Sequence, residues 1–237
     1  MIPTQPWLEH LVVHVALARV GRDPEGVHQL RVASRRLGAW LHLGDWDVLQ
    51  SDLRWLRRIA GAVRDLDVLL SERHGDPLDT WLARRRERAQ AMLVETLDSP
   101  RTVGLQSAFE TLPPLADASA RANLERLGAR VHRRGRRAED SRGDSDEVEA
   151  WHDLRRALRQ LRYAREWFEL PTKPLRALQD ELGELGDLAL LWRQLREFPE
   201  PHAIRNVLDH SKERLAGALE RARAAWKMHR DDVSAES

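Results

Sequence analysis

Apolar residues recur every three or four positions along almost the whole chain, and no segment alternates apolar and polar residues for long. This spacing predicts an all-α fold. Proline and glycine fall between the periodic segments, where they mark helix ends. The polar stretch 139–146 is predicted to be a loop, and residues 231–237 a frayed tail. We predict nine helices, over residues 5–20, 27–43, 48–72, 77–98, 101–112, 114–138, 147–169, 173–197 and 201–229.

Two stretches of sequence, 124 residues apart, are versions of the same helix. VHQLRVASRRLGAWL starts at Val27 and WHDLRRALRQLRYAR starts at Trp151, and each begins with an apolar residue, His, any residue, Leu and Arg. The segments that start at Leu53 and Leu175 form a second matching pair. Each copy therefore predicts a unit of four antiparallel helices. Repeat one covers 5–98, a connector covers 99–113 and repeat two covers 114–230.

The first copied helix has an apolar face and a basic face. With His28 at zero on a helical wheel of about 100° per residue, Arg31 and Arg35 fall within about 60° of it. The second copy repeats the arrangement, and residues 151–165 hold five Arg and a single Asp. Like charges three and four residues apart destabilise an isolated helix. Such faces are most often solvated surface, but arginines that are repeated and sparsely compensated indicate an anionic ligand.

A row of arginines continues on the next helix, with Gly61 in its middle. A glycine inside a helix costs about 1 kcal/mol relative to alanine, so Gly61 and its match Gly183 predict close approach by a ligand or another helix. Asp65 falls near Arg54 and Arg58 on the wheel and is expected to orient an arginine of this site. The basic run that starts at Ala129 either extends a basic groove or forms outer surface. We expect another run to be surface, namely Arg84, Arg85, Arg86 and Arg88.

At these residues the sequence resembles the CHAD family, the conserved histidine α-helical domain. The strongest marks are VHQLRVASRRL from Val27, RDLDVLL from Arg64 and WHDLRRALRQLRYARE from Trp151, while LGELGD from Leu182 and AAW from Ala224 also fit. The resemblance implies a single CHAD domain over 1–230, built from two pseudo-symmetric antiparallel four-helix bundles with a basic central cavity or groove. It also implies binding of inorganic polyphosphate and, in bacteria, association with polyphosphate granules.

The resemblance assigns polyphosphate binding to the basic residues that match the family's motifs. Arginine suits this ligand because its fixed donor fork matches phosphate oxygens. The candidates are His28, Arg31, Arg35, Arg36, Arg54, Arg57, Arg58 and Arg64 in repeat one, and His152, Arg155, Arg156, Arg159 and Arg162 in repeat two. Further candidates are Arg130, Arg133, Arg134 and Arg137. Four positions depart from the pattern and predict an asymmetric site: Gly38, Gln179, Asp180 and Gly186.

Metal binding and nucleic-acid binding are the alternatives. His28 and His152 are copied residues, but neither has a His four positions on, and the nearby arginines would repel a cation. A nucleic-acid surface should carry aromatic side chains on which bases stack, and only Tyr163 and Trp167 lie near the basic face. We therefore prefer polyphosphate and keep a general polyanion or nucleic-acid binder, or a metal binder, as alternatives.

Catalysis is not expected. Relatives of this family often accompany a triphosphate-tunnel phosphohydrolase domain, which is marked by a Glu-x-Glu-x-Lys strand. The nearest string here runs from Glu147 to Trp151, ends in Trp and precedes a predicted helix. Asp65 and Asp67 lie two residues apart on a helix, so they face different directions.

Composition narrows the class of protein further. Lys and Arg number 39 against 38 Asp and Glu, so only the local arrangement of charge argues for a polyanion. The absence of Cys excludes disulfides and thiolate sites. No apolar run approaches the roughly 20 residues of a membrane span, and the first residues lack a basic leader. We expect a cytoplasmic protein with no cofactor, metal or membrane partner. The sequence leaves its oligomeric state open.

Overall fold

The computed structural model describes residues 1–231 and 233, with the backbone alone at residues 144 and 145. Over these residues the protein is all-α, with nine α-helices, one 3₁₀ turn and a single antiparallel bridge between Ile2 and Leu115. No helix in the described ranges is long and apolar enough to cross a membrane. The helices are α1 Trp7–Val20, α2 Pro24–Leu43, α3 Gln50–Leu70, α4 Leu78–Leu97, α5 Pro100–Thr111, α6 Asp117–Asp140, α7 Asp144–Glu166, α8 Lys173–Glu197 and α9 Arg205–His229, with the 3₁₀ turn at Pro201–Ile204.

The predicted helices are confirmed in number and order. Their ends agree to within three residues except at the start of α9, which the 3₁₀ turn precedes. Helix α2 begins earlier than predicted because Pro24 opens it. Proline suits the first turn of a helix, where the N–H that it lacks would have no partner. Asp23 caps this turn, since its Oδ1 accepts from the Glu25 backbone N–H at 2.8 Å.

The predicted loop over 139–146 is wrong in extent, because only residues 141–143 separate α6 from α7. Gly143 makes the break with a φ of 97°, in a region that residues with a β-carbon rarely adopt. The acidic residues that follow, such as Asp146, fall in the first turn of α7, where the helix dipole favours negative charge.

Residues Met1–Asn123 form the first of two compact units, unit 1. Helices α1 to α4 pack in sequence and α4 returns to α1, which closes an antiparallel four-helix bundle. Helix α5, which holds most of the predicted connector, packs on α1, α3 and α4 of this unit. The predicted core face of α2 is fully buried, from Val27 and Leu30 to Leu37 and Trp40.

The second compact unit, unit 2, begins at Leu124. Helix α8 packs against α7 and α9, and α6 contacts α7 and α9 through side chains. The division between the units falls inside α6, whereas the sequence repeats divide between 113 and 114. Of the predicted frayed tail, residues 232 and 234–237 lie outside the described residues. Val233 is buried, and its carbonyl accepts from Arg165 Nη2 at 3.1 Å.

Trp226 of α9 lies directly against the backbone of α6 at Gly135. A methyl group placed on Gly135 would come within 1.8 Å of Trp226 Cζ2. The Trp226 side chain is 1% exposed, so the surrounding core prevents it from moving aside. Gly135 is therefore required by packing between two helices of unit 2.

We predict that Gly135→Ala lowers the free energy of unfolding by about 1 to 3 kcal/mol, because the added methyl group overpacks a buried ring. Denaturant unfolding measures this change. Gly128→Ala on the same helix is the matched control, since no described atom lies within 4 Å of a methyl group at that position. The control should raise the free energy of unfolding by up to about 1 kcal/mol, as alanine does inside helices. Equal effects of the two substitutions would contradict the packing of Trp226 on Gly135.

Candidate anion-binding site

In unit 1, the basic faces of α2 and α3 lie side by side. Arg31 of α2 reaches over Gly61 of α3, where its Nη1 donates to the Gly61 carbonyl at 3.2 Å and to Asp65 Oδ1 at 3.1 Å. A methyl group at Gly61 would lie in ordinary contact with this guanidinium, 3.7 Å from Cζ. The close approach predicted at Gly61 is confirmed and is made by Arg31. Asp65 does pair with an arginine, but with Arg31 of α2 and not with its neighbours Arg54 and Arg58 on α3.

Arg57 makes the reverse crossing, from α3 towards α2. Its guanidinium lies against Gly38, where an added methyl group would come within 3.0 Å of Nη1. Its Nε donates to the Leu53 carbonyl of its own helix at 3.2 Å, and no described carboxylate pairs with it. Burial, followed by the charges of Arg54 and Arg31, lowers the pKa of Arg57 to about 10. Arg57 is therefore a positively charged side chain whose nearest charged neighbours are also positive.

His28 shares this field of positive charge. Burial is the largest cause that lowers its pKa below 6.5, and the charge of Arg64 is the next. The charges of Arg35 and Arg31 act in the same direction, while Glu25 opposes them. His28 is therefore neutral at pH 7, with a ring that can donate one hydrogen bond.

The other candidates of unit 1 are arranged less uniformly. Arg36 lies over the ring of Trp7 on α1, with Cζ 3.8 Å from the ring centroid, so it points to the other side of α2. Arg54 and Arg58 are exposed on α3. The residues that share one electrostatic environment are His28, Arg31, Arg35, Arg54, Arg57 and Arg64.

In unit 2, a small pocket between α7 and α8 holds the corresponding groups. His152, Arg155 and Gly186 line it, over the apolar side chains of Trp151 and Leu182. The Arg155 guanidinium lies so close to Gly186 that a methyl group there would come within 3.0 Å of Nη1.

The pKa of His152 is lowered for the same reasons as that of His28. Burial is the largest cause, followed by the charge of Arg156, and Arg155 and Arg159 add to it. Glu149 opposes them. Both copied histidines are therefore neutral at pH 7 and lie among arginines.

No neighbouring helix makes the close approach predicted at Gly183, since no described atom lies within 4 Å of a methyl group at that position, and approach by a ligand there stays a prediction. The contact is made one turn later, at Gly186, which matches Arg64 of repeat one. In unit 1 the matching position is Arg64, so there is no glycine at that place for Arg31 to lie against. Arg31 therefore lies over Gly61, and Arg155 over Gly186.

Two departures from the family pattern are explained by these contacts. Gly38 leaves room for Arg57, and Gly186 leaves room for Arg155. Each glycine stands where the other repeat has an arginine, Arg162 for Gly38 and Arg64 for Gly186. A guanidinium from the neighbouring helix takes the place of the missing side chain, which keeps positive charge at both positions.

The remaining candidates of α7 point to two sides of the helix. The Arg162 guanidinium lies over the ring of Tyr163, 4.6 Å from its centroid, and 3.6 Å from Glu166 Oε1. Arg156 donates to Asp153 and, at 3.2 Å, to Glu149. Arg159 is half-buried and acts on His152 through its charge.

The basic run of α6 meets α7 at Asp153. Arg134 Nη1 donates to Asp153 Oδ2 at 2.7 Å, and Arg137 Nη1 lies 3.9 Å from the same oxygen. Arg130 and Arg133 are exposed on the same side of α6. Each unit thus carries its own basic face, and the predicted cavity shared by both repeats stays a prediction.

Sequence reasoning missed the role of Arg86. We expected it at the surface, yet its Nε donates to Asp67 Oδ1 at 3.0 Å and its Nη2 to the Gly21 carbonyl at 3.3 Å. The Asp67 side chain is only 5% exposed. Asp65 and Asp67 do face different directions, as predicted, one towards Arg31 and the other towards Arg86. Arg86 therefore ties α4 to α3 and to the end of α1.

The acidic and histidine side chains are dispersed. Within residues 1–231 and 233, no three His, Asp or Glu side chains come close enough together to hold a metal ion. The acidic groups that approach the basic faces, such as Asp65 and Asp153, are paired with arginines instead.

The comparisons with known proteins agree with this arrangement of helices. A family model described as the CHAD domain matches residues 5–196. The chain belongs to the CHAD family. It is similar to the crystal structure of the CHAD domain from the plant Ricinus communis, with a TM-score of 0.76, 26% sequence identity, and coverage of 98% of this chain and 89% of that one.

A second structural likeness shows the fold alone. PptA from Streptomyces chartreusis has a TM-score of 0.66 and 19% identity, with coverage of 96% of this chain and 100% of that one. A comparison with curated proteins gives no match. The CHAD family model ends before α9, so the AAW motif from Ala224 lies beyond it, although the alignment with the plant CHAD structure covers almost the whole chain.

We predict that Arg57→Met raises the free energy of unfolding of the unliganded CHAD protein by about 1 kcal/mol, because it removes a charge that burial and neighbouring arginines disfavour. Denaturant unfolding measures the change. Arg84→Met, on the exposed face of α4, is the control and should change stability by less than about 0.5 kcal/mol. A clear loss of stability for Arg57→Met would show that this guanidinium stabilises the bundle.

Proposed function

We propose that this CHAD protein binds inorganic polyphosphate, without catalysing a reaction on it, through the basic faces of α2 and α3 and of α7 and α8. The observation that carries the proposal is the state of Arg57. This half-buried guanidinium has no described carboxylate partner, and its pKa is lowered to about 10 by burial and by Arg54 and Arg31. An anion with many charges would reverse this unfavourable interaction.

The chemistry of the ligand fits the side chains present. Polyphosphate offers negative charge and oxygen acceptors, without base edges or apolar faces. Guanidiniums and neutral histidine N–H groups are donors to such oxygens. Membership of the CHAD family is compatible with polyphosphate as the ligand, as the resemblance of the sequence to that family implied.

Nucleic acid is the second candidate, because its backbone carries the same phosphate charge. In the sequence, Tyr163 and Trp167 are the aromatic residues near the basic face on which bases could stack. Tyr163 is 4% exposed and lies beneath the Arg162 guanidinium, so it offers no free ring face. Trp167, half-buried at the end of α7, is then the remaining aromatic side chain of the two, and nucleic acid is favoured mainly by charge.

Metal binding by the copied histidines is the third candidate. Arginines surround both His28 and His152, and their charges lower the pKa of each ring. The same charges disfavour a cation at either site.

In the cell, the proposed protein is cytoplasmic and associates with polyphosphate granules, because a protein that binds the polymer would concentrate where the polymer does.

Calorimetric titration tests the proposed ligand. At about 0.15 M salt, we expect tight binding of long-chain polyphosphate and weak binding of duplex and single-stranded DNA, with affinity that falls as salt rises because counterions are released. Equal binding of all three polymers would support a general polyanion binder. No binding of any polymer would overturn the proposal.

A pair of substitutions tests the proposed residues. Arg31→Gln with Arg155→Gln should lower polyphosphate affinity by at least about tenfold, which corresponds to about 1.4 kcal/mol. Arg84→Ala with Arg88→Ala is the control, because it removes the same charge from exposed residues of α4 that make no described ion pair. Binding of the first variant at wild-type strength would exclude these faces as the site.

Because of His28 and His152, we predict opposite effects of pH on the stability of the protein and on its affinity for polyphosphate. Their pKa values are lowered below 6.5 in the folded protein. The unfolded chain therefore takes up protons first, and stability decreases as pH falls through about 6.5. A bound polyanion favours the protonated rings, so affinity should increase from pH 7 to about 5.5. The double variant His28→Gln with His152→Gln should lose this increase in affinity, which calorimetric titration between pH 7 and about 5.5 measures. The same pH dependence of affinity in the variant and the wild type would contradict a role for the histidines.

A further inference from the structure

Helix α6 carries a row of arginines apart from the pocket between α7 and α8. The four residues line a shallow, open depression on the surface of unit 2, and their spacing of three, four and seven residues puts them on one side of the helix. The row extends over seven residues, which is about 10 Å along a helix. Its members are Arg130, Arg133, Arg134 and Arg137.

A single acidic side chain organises this row and connects it to α7. Asp153, with a side chain 14% exposed, accepts from Arg134 at 2.7 Å and from Arg156, and Arg137 lies 3.9 Å away. Glu149 accepts from Arg156 at 3.2 Å. One carboxylate therefore faces three guanidiniums and fixes their positions.

Positive charge remains in surplus on this surface. Arg130 and Arg133 are exposed, and neither makes a hydrogen bond or an ion pair with a described residue. Together with the three arginines around Asp153, they make five guanidiniums against two carboxylates, Asp153 and Glu149. Three positive charges are left for a ligand.

The packing of the helices does not require these charges, because unit 1 makes the same contact without them. The residues 124 positions before Arg134 and Asp153 are His10 and Gln29, and they also meet, with His10 Nε2 3.0 Å from Gln29 Oε1. The residue that corresponds to Arg133 is Glu9. The contact is common to both units, whereas the positive charge belongs to unit 2 alone.

The arginine row and the pocket lie against opposite sides of the same helix, α7. Arg155 points from α7 towards Gly186 of α8, and Asp153 points towards α6. His152 and Arg156 lie between them on the wheel, about 40° apart. A chain of phosphates that lies on the basic face of α7 and α8 and passes His152 would therefore reach Arg156 and then the row on α6.

We infer that the arginine row of α6 is a second phosphate-binding surface, open and elongated, which contacts polyphosphate chains that extend beyond the basic face of α7 and α8. This inference rests on the proposed function and adds chain-length preference to it. Short chains are bound at the basic face of α7 and α8, and longer chains gain the contacts of Arg130 and Arg133. The preference for long chains is then a property of unit 2.

The test compares two ligands on two variants of the full chain. Wild-type protein, Arg130→Ala with Arg133→Ala, and Arg84→Ala with Arg88→Ala are titrated with tripolyphosphate and with long-chain polyphosphate. In Arg130→Ala with Arg133→Ala, we expect the ratio of long-chain to tripolyphosphate affinity to fall about tenfold at about 50 mM salt. The dependence of long-chain affinity on salt should weaken by about 1.5 in its log–log slope, for two lost phosphate contacts. The Arg84 and Arg88 variant should keep the wild-type ratio.

Each other outcome has a distinct meaning. An unchanged ratio and slope would overturn the inference and make the row ordinary solvated surface. An equal loss for both ligands, in Arg130→Ala with Arg133→Ala alone, would also overturn it, because the row would then belong to the same site as the basic face of α7 and α8. Failure of the wild-type protein to bind either ligand would refute the proposed function, and this inference with it.

Discussion

Repulsion between arginines on neighbouring helices is the constraint on which the rest of this structure depends. Arg57 lies near Arg31 and Arg54, and burial together with their charges lowers its pKa to about 10. Interactions of this kind destabilise the folded state. The apolar faces of α2 and α3 must therefore hold these helices together against the repulsion, and core side chains such as Leu37, Trp40 and Leu56 are fully buried. Charge can be concentrated for a ligand only because the core is already stable.

Glycine is the means by which these long cations are accommodated. At Gly61 the Arg31 guanidinium lies flat on α3 and donates to a backbone carbonyl as well as to Asp65. At Gly38 and Gly186, an arginine of the neighbouring helix fills space that a side chain would otherwise take. Arg57, at Gly38, donates to the Leu53 carbonyl and has no described carboxylate partner, so its charge is not neutralised. The positive charge therefore stays available to an anion.

The two units keep their packing while their charges differ. The contact between His10 and Gln29 in unit 1 and that between Arg134 and Asp153 in unit 2 occupy matching positions. Packing depends mainly on shape and burial, so partly exposed residues of such a contact are free to change charge. This freedom explains how an internal repeat yields two units with one architecture and unequal basic surfaces.

The sequence by itself determined the helices, their order, the core face of α2 and the basic face that opposes it. These features are local, because helical periodicity and the direction of each side chain around its own axis follow from neighbouring residues. It did not determine where each arginine ends. Arg36 lies on Trp7, Arg86 pairs with Asp67, and Arg155 lies over Gly186 although Gly183 was expected. Those positions depend on how one helix is shifted and rotated against the next, and only the packing of residues distant in sequence sets that register.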